Sequence, residues 1–259
     1  MKTKFPELDL DLSFHPVHCD APRRFTHEQI DEYNRDGYIS GITIFEGAEL
    51  EQIQAFFETA KQELTEIEVF RSFHHTMPEL YDIVTRPLLV EYLQDLLGPD
   101  VVCFVSQYVR KEPGSEQIVV WHQDASFNPM AARGVVVWLA LDDATLDNGC
   151  MRFIPGSHWL GGLDFTQSGG HEVGDAEAHG APIPVELKSG QAVFFSDLLL
   201  HSSPRNCSAA KRRGGFTMTF TSTGVVPHLH GNQASVLCSG EDANNNWQHH
   251  PRPTQRTSP

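Results

Sequence analysis

No run of apolar residues in this 259-residue chain approaches the ~20 needed to span a bilayer, and the opening MKTKFPELDLDLSF has two lysines but no apolar signal-peptide core. The sequence is therefore read as that of a cytoplasmic protein with no membrane partner. Cysteine is sparse: Cys19, Cys103, Cys150, Cys207 and Cys238 are scattered, odd in number and form no C-x-x-C pair. That excludes a zinc knuckle and a thioredoxin-like redox centre. Cys103 and Cys150 fall in apolar, strand-like runs and read as small core residues. Basic residues are scarce as well, with 19 Lys and Arg against 34 Asp and Glu and a formal net charge of -15. Backbone affinity for nucleic acid depends on concentrated positive charge, so a nonspecific nucleic-acid surface is ruled out. The same balance gives no general steering toward a carrier protein, although a pocket can be locally positive in an acidic protein. The one dense basic cluster is Lys211-Arg212-Arg213.

What is present divides the chain in two. Thr26-His27-Glu28-Gln29 has the form of a capping box and predicts a helix to about Arg35, ending near Gly37. Leu50, Ile53, Phe56, Phe57 and Ala60 recur at helical spacing and predict an amphipathic helix from Ala48 to about Thr65. A helical stretch around Leu80, Tyr81, Ile83 and Val84 follows, then another opened by Pro87 and closed by Gly98. From residue 101 the pattern changes to short β-branched and aromatic runs: VVCFVSQYV, QIVVW, GVVVWLAL, CMRFI, IPVEL, QAVFF and GFTMTF. Turn signals such as Pro113-Gly114, Asp147-Asn148-Gly149 and Pro155-Gly156 separate them. Helices first and strands afterwards predict a mainly β fold with flanking helices, an antiparallel barrel or sandwich. The expected organisation is a single domain over 1–259. It has a helical part at about 26–98, a barrel core at about 101–222 and a C-terminal extension at about 223–259. The polar, glycine-rich stretch 161–180 reads as a loop near a pocket mouth, and nothing in the pattern marks a subunit interface.

The chemistry concentrates in two places. His122-Gln123-Asp124 lies in VVWHQDASF, and His201 lies in FFSDLLLHSSP. Residues i and i+2 of a strand share a side, so His122 and Asp124 can converge on one ion while Gln123 points away. If the strand material around Ala192–Phe195 and Leu198–Leu200 meets the first segment, His201 completes a facial triad. Two imidazoles and one carboxylate hold one face of an iron ion and leave the other open to chemistry. Downstream, an arginine at the start of GFTMTF can grip a carboxylate through its bidentate fork. Arg212 and Arg213 compete for that place, since adjacent strand residues face opposite sides and only one should enter the pocket. Phe127, Asn128 and Met130 follow the first motif and are candidate pocket residues. Trp138 reads as a pocket wall or a packed strand tryptophan, and His249-His250 has no evident third ligand.

Several strings together resemble the phytanoyl-CoA dioxygenase family of Fe(II)/2-oxoglutarate oxygenases: THEQIDEYNRDGYI, WHQDASF, VVVWLALDD, DNGCMRFIPGSH, SGQAVFFSDLLLHSSPRN and KRR, roughly residues 26 to 220. The resemblance implies a double-stranded β-helix, the cupin-like jelly-roll barrel, with iron held by His122, Asp124 and His201. By analogy it places Arg212, eleven residues after His201, on the distal carboxylate of 2-oxoglutarate. Asn206 matches a recurring asparagine expected to order the intervening turn. Gln107, on the strand before the first motif, is a candidate neighbour of the cosubstrate. His158 is not expected to be a fourth ligand.

Members of the family couple O2 and 2-oxoglutarate to oxidation of a substrate carbon, releasing succinate and CO2. Halogenating relatives carry alanine or glycine where this chain has Asp124, so hydroxylation of a small, partly apolar metabolite is the first expectation. Desaturation, epoxidation and cyclisation use the same ligands. Two further alternatives are a non-catalytic metabolite-binding barrel and a cupin-like metal enzyme indifferent to 2-oxoglutarate; both lack a need for the triad together with the arginine.

Overall fold

The computed structural model describes residues 5–63, 70–128, 130–166, 171–228 and 234–256. Four α-helices come first or among the early strands: α1 (His27–Asp36), α2 (Gly47–Glu63), α3 (Pro78–Val84) and α4 (Pro87–Leu97). Eleven strands follow the order β1 (Tyr38–Thr43), β2 (Phe70–Arg71), β3 (Val101–Lys111), β4 (Val119–His122), β5 (Val135–Ala140) and β6 (Met151–Phe153), then β7 (Ile183–Val185), β8 (Gln191–Ser196), β9 (His201–Ser203), β10 (Arg213–Ser222) and β11 (Val236–Ser239).

Local chemistry explains the helix ends. The Thr26 hydroxyl accepts from the Gln29 N–H at 3.1 Å and the Gln29 side chain accepts from the Thr26 N–H at 2.9 Å, so the capping box is complete. Gly37, at φ 87°, ends α1 in the left-handed conformation glycine tolerates. Pro78 and Pro87 sit in the first turns of α3 and α4, where no backbone N–H is needed. The end anticipated for α2 near Thr65 lies outside the described residues; the helix is described to Glu63.

The strands form two antiparallel sheets. The larger runs β1-β8-β5-β10-β3-β11, with β2 on β3, and the smaller runs β4-β9-β6-β7. Period-two alternation decides what each face covers. Val135, Val137 and Leu139 of β5, with Phe216, Met218 and Phe220 of β10, pack under the helices against Ile30, Phe57, Leu80, Leu89 and Leu93. The intervening Val136, Trp138 and Ala140 face the other way and join Phe195 with Met151 and Phe153 of the small sheet. This is the antiparallel barrel anticipated from the pattern, in the jelly-roll form that the family resemblance implied, with helices outside one wall and an interior between the sheets. Phe57 shows how the outer layer is fastened: only 2% exposed, it meets Tyr108 and Phe216 with ring centres 4.7 and 5.3 Å away. Burial of such a side chain stabilises by roughly 1.5–3 kcal/mol.

Two local expectations differ from what is found. Leu198-Leu199-Leu200 is not strand but a fully buried turn between β8 and β9. Its apolarity reflects a chain crossing inside the molecule, where the Leu198 carbonyl is satisfied by the Gln123 side chain at 2.6 Å. Met130 is also absent from the pocket; it packs with Val102, Phe104 and Trp247. Among the described residues, no helix is long and apolar enough to cross a membrane.

Candidate metal and cosubstrate site

The register of the small sheet builds the centre. β4 and β9 pair antiparallel with His122 opposite His201, and their ring centres stand 4.0 Å apart. Asp124 follows where the strand ends and a short 3-10 turn begins, which brings its carboxylate back to both rings. Its oxygens lie 3.4 Å from His122 Nε2 and 3.8 Å from His201 Nε2, and the three donor atoms fall within 4.8 Å of one another. Among the described residues this is the one such group of three.

Both imidazoles are held in the tautomer a metal requires. His122 Nδ1 is 2.8 Å from the Val120 carbonyl and His201 Nδ1 is 2.9 Å from that of Leu199. A carbonyl only accepts, so each Nδ1 carries the hydrogen, which leaves Nε2, the ring atom nearer Asp124, as the one to face a metal. The charges follow from burial. Burial alone disfavours protonated His122, but the Asp124 hydrogen bond and charge outweigh it and raise its pKa. His201 is lowered to about 4, first by burial and then by His122 beside it. A low-lying imidazole and a nearby carboxylate are donors ready for a divalent cation, and the set fits Fe(II).

A cavity of about 350 Å³ opens from this triad, lined by Gln107, Phe127, Asn128, Trp138, Ser203, Arg213, Thr217 and Thr219 among others. Gln107, Phe127, Asn128 and Trp138, the pocket candidates of the sequence, line this cavity, and Arg212 does not. Its Nη1 is 2.6 Å from Glu58 of α2 and its Nε 3.1 Å from Asp142, so it lies on the helix side of the large sheet. Arg213 enters the cavity instead, only 2% exposed, with Nε 3.1 Å from the Gly149 carbonyl and its guanidinium 4.9 Å from the Trp138 ring centre.

Parity along β10 gives the reason. Arg213 shares its face with Gly215, Thr217 and Thr219, whereas Arg212 shares its face with Phe216 and Met218. Gly215 makes room for the arrangement, since a Cβ there would come within 2.1 Å of the Trp138 ring. The alternation in GFTMTF carries this signal, polar residues inward and apolar ones toward the helices; counting residues from His201 misses it. Burial lowers the Arg213 guanidinium to about 10, and among the described residues no carboxylate pairs with it.

Gln123 has a larger part than pointing away. Buried at 2% exposure, it donates to the Gly161 and Leu198 carbonyls at 2.9 and 2.6 Å and accepts from Leu163 N–H at 2.8 Å. It thereby ties the start of the 161–180 stretch to the first metal motif; residues 167–170 of that stretch lie outside the described residues. Further along it, His171 stacks between Phe127 and Phe165 with ring centres 4.2 and 4.3 Å away, so this chain segment reaches the cavity wall. Asn206 orders the turn before β10, donating to the Lys111 and Lys211 carbonyls and accepting from Ser208 N–H. His158 is buried away from the triad, its Nε2 3.1 Å from the Asn34 carbonyl.

The family model of phytanoyl-CoA dioxygenase (PhyH) matches residues 23–214. The chain belongs to that family. The phytanoyl-CoA dioxygenase of Arabidopsis thaliana is 34% identical over 153 residues, covering 53% of this chain and 51% of the relative. The chain spans about half the length of the curated relatives it matches. Among solved structures, the non-heme monooxygenase ThoJ in its apo form superposes with a TM-score of 0.77 at 26% identity, covering 87% of this chain and 88% of that one. The non-heme alpha-ketoglutarate-dependent carbocyclase SnoK from nogalamycin biosynthesis gives 0.70 at 19% identity over 85% and 99%, a likeness of fold. A neighbour of the same fold, CytC3, was solved with Fe(II) and alpha-ketoglutarate (TM-score 0.66, 22% identity), and the donor set of this chain fits a metal ion.

Proposed function

We propose that this chain is an Fe(II)/2-oxoglutarate-dependent oxygenase that hydroxylates an aliphatic carbon of a small, partly apolar metabolite. One observation carries the reading: the His122–Asp124–His201 triad shares a cavity with Arg213, a buried cation without a carboxylate partner among the described residues. His122 and His201 would hold iron through Nε2 and Asp124 through a carboxylate oxygen. Iron held there supplies the oxidising power that couples O2 and 2-oxoglutarate, spent as succinate and CO2, to oxidation of the substrate carbon.

The chain's own residues do the rest. Arg213 receives the distal carboxylate of 2-oxoglutarate, and Trp138 under its guanidinium fixes the direction of approach. Val120 and Leu199 hold the imidazole rings in place through their carbonyls, so the donors need no reorganisation. Ile118, Val119, Phe127 and Met151 give the remaining wall an apolar character, while Asn128 offers a polar contact to substrate. Beyond Asp124 and Arg213 the cavity wall carries no carboxylate or fixed cation among the described residues, which supports an uncharged reacting portion of the substrate. Asp124 fills the third ligand place and favours hydroxylation over halogen transfer.

The deciding experiment is anaerobic titration of iron-loaded protein with 2-oxoglutarate, following the charge-transfer band of the chelate, and then succinate release with candidate substrates. A saturable band and substrate-stimulated succinate are expected; a folded, iron-loaded protein with no band would overturn the reading. The same ligands serve desaturation, epoxidation and ring closure, so the mass change of the product distinguishes these from hydroxylation.

A further inference from the structure

Lys111 is wholly buried, at 0% exposure, and it has no carboxylate partner among the described residues. It is the next inward residue of β3 after Gln107 and Val109, and it stands directly opposite Arg213 in the β3–β10 register. Its ammonium donates to the Ser203 hydroxyl at 2.8 Å, the Ser203 carbonyl at 3.1 Å and the Pro204 carbonyl at 2.5 Å. Ser203 lines the cavity and lies two residues after His201 on β9. Three oxygens satisfy all three N–H groups of an ammonium, but they leave its charge unbalanced.

Buried charge is costly without a counter-charge, and a second cation nearby makes it costlier. Burial first, and then the Arg213 guanidinium, lower Lys111 to about 7. A clamp between β3 and the end of β9 needs hydrogen bonds; it does not need two unbalanced cations beside one cavity. A ligand carrying more than one negative charge would use both.

We propose that Lys111 is a positioning residue of the cosubstrate site, holding Ser203 at the cavity wall and placing a second positive charge behind Arg213, so that the site prefers a dianionic 2-oxo acid to a monoanionic one. This rests on the function proposed above. The substitution that isolates the charge is Lys111→Met, with Lys111→Arg as the charge-retaining control and Ser203→Ala removing only the hydroxyl acceptor. The readout is binding to anaerobic, metal-loaded protein by calorimetry, using 2-oxoglutarate and 2-oxopentanoate, which has the same chain length but lacks the distal carboxylate.

Lys111→Met should weaken 2-oxoglutarate by about tenfold or more, the scale of one unit charge acting at short range through protein, and leave 2-oxopentanoate within about twofold. Lys111→Arg and Ser203→Ala should keep the preference for the dicarboxylate. Equal losses for both acids in Lys111→Met would reduce Lys111 to a clamp, and no loss for either would remove it from the site; both outcomes overturn the proposal. If Lys111→Met does not fold, loss of the preference in Lys111→Arg or Ser203→Ala overturns it in the same way. Unsubstituted protein that binds neither acid is a different failure, that of the oxygenase reading itself.

Discussion

Arg212 and Arg213 are consecutive, yet they serve opposite sides of one sheet: Arg212 Nη1 is 2.6 Å from Glu58 under the helices, and the Arg213 guanidinium lies 4.9 Å from the Trp138 ring centre inside the barrel. Their substitutions should therefore separate cleanly. Arg213→Ala is expected to cost about 2–5 kcal/mol of 2-oxoglutarate binding, the usual consequence of truncating one partner of a buried charge pair. Arg212→Ala should leave that affinity alone and lower stability by about 1 kcal/mol or less, since its ion pairs are one-third exposed. Calorimetric titration of the two variants side by side tests this, and a larger binding loss for Arg212→Ala would return the role to that residue.

The triad makes a second prediction. His122→Ala and His201→Ala should each abolish tight Fe(II) binding while the far-ultraviolet circular dichroism stays unchanged, because β4 and β9 remain paired through their backbones. Asp124→Ala should weaken binding less, leaving both Nε2 donors. Metal content after gel filtration is the measurement; full iron occupancy in either histidine variant would remove that residue from the ligand set.

Asp197 predicts a dependence of stability on pH. It is fully buried behind the site, and burial pushes its carboxyl from 3.8 up to about 8, against the Gly134 N–H that donates to it and helped by the charge of Asp124. Between about pH 4 and 8 the folded protein holds a proton that the unfolded chain releases. The stabilisation is complete below pH 4 and declines as pH rises through 8, by up to ~1.4 kcal/mol per unit. In metal-free protein, Asp197→Asn should flatten this part of the profile. Urea midpoints at pH 5.5 and 8 that shift equally in both proteins would contradict it.

Gln123 should behave as a structural linchpin despite its polar side chain. Gln123→Ala leaves two carbonyls and one N–H without partners around Gly161, Leu163 and Leu198, an expected loss of about 2–4 kcal/mol. Gln123→Glu should fail to rescue, since a carboxylate cannot donate to the two carbonyls. Denaturant unfolding measures both; a change below about 0.5 kcal/mol would show that water replaces these bonds.

The barrel was legible because its strands carry two alternating signals, one for each face of the large sheet. The strands that escaped notice are those with little room to alternate: β2 has two residues, β9 three and β11 four, and β1 contains Gly41 and a register shift. The metal ligands were visible because His122 and Asp124 sit two apart, though their convergence depends on the turn at Asp124 rather than on strand geometry alone. The resemblance favours Arg212 over Arg213 only by analogy, and positional analogy carries no parity; the face shared with Thr217 and Thr219 brings Arg213 to the cavity instead. Lys111 and Gln123 escaped for a different reason. A buried lysine or glutamine looks like a surface residue until the fold shows which carbonyls surround it.

The pairing of His122 with His201 also fixes an order of events during biosynthesis. A nascent chain that has emerged only through Asp124 offers a metal one imidazole and one carboxylate, a weak two-point chelate. The third donor arrives with residue 201 and the buried Arg213 later still, after most of the barrel has been synthesised. A redox-active ion that needs all three donors would therefore be held only once the barrel can close around it, away from the half-made chain.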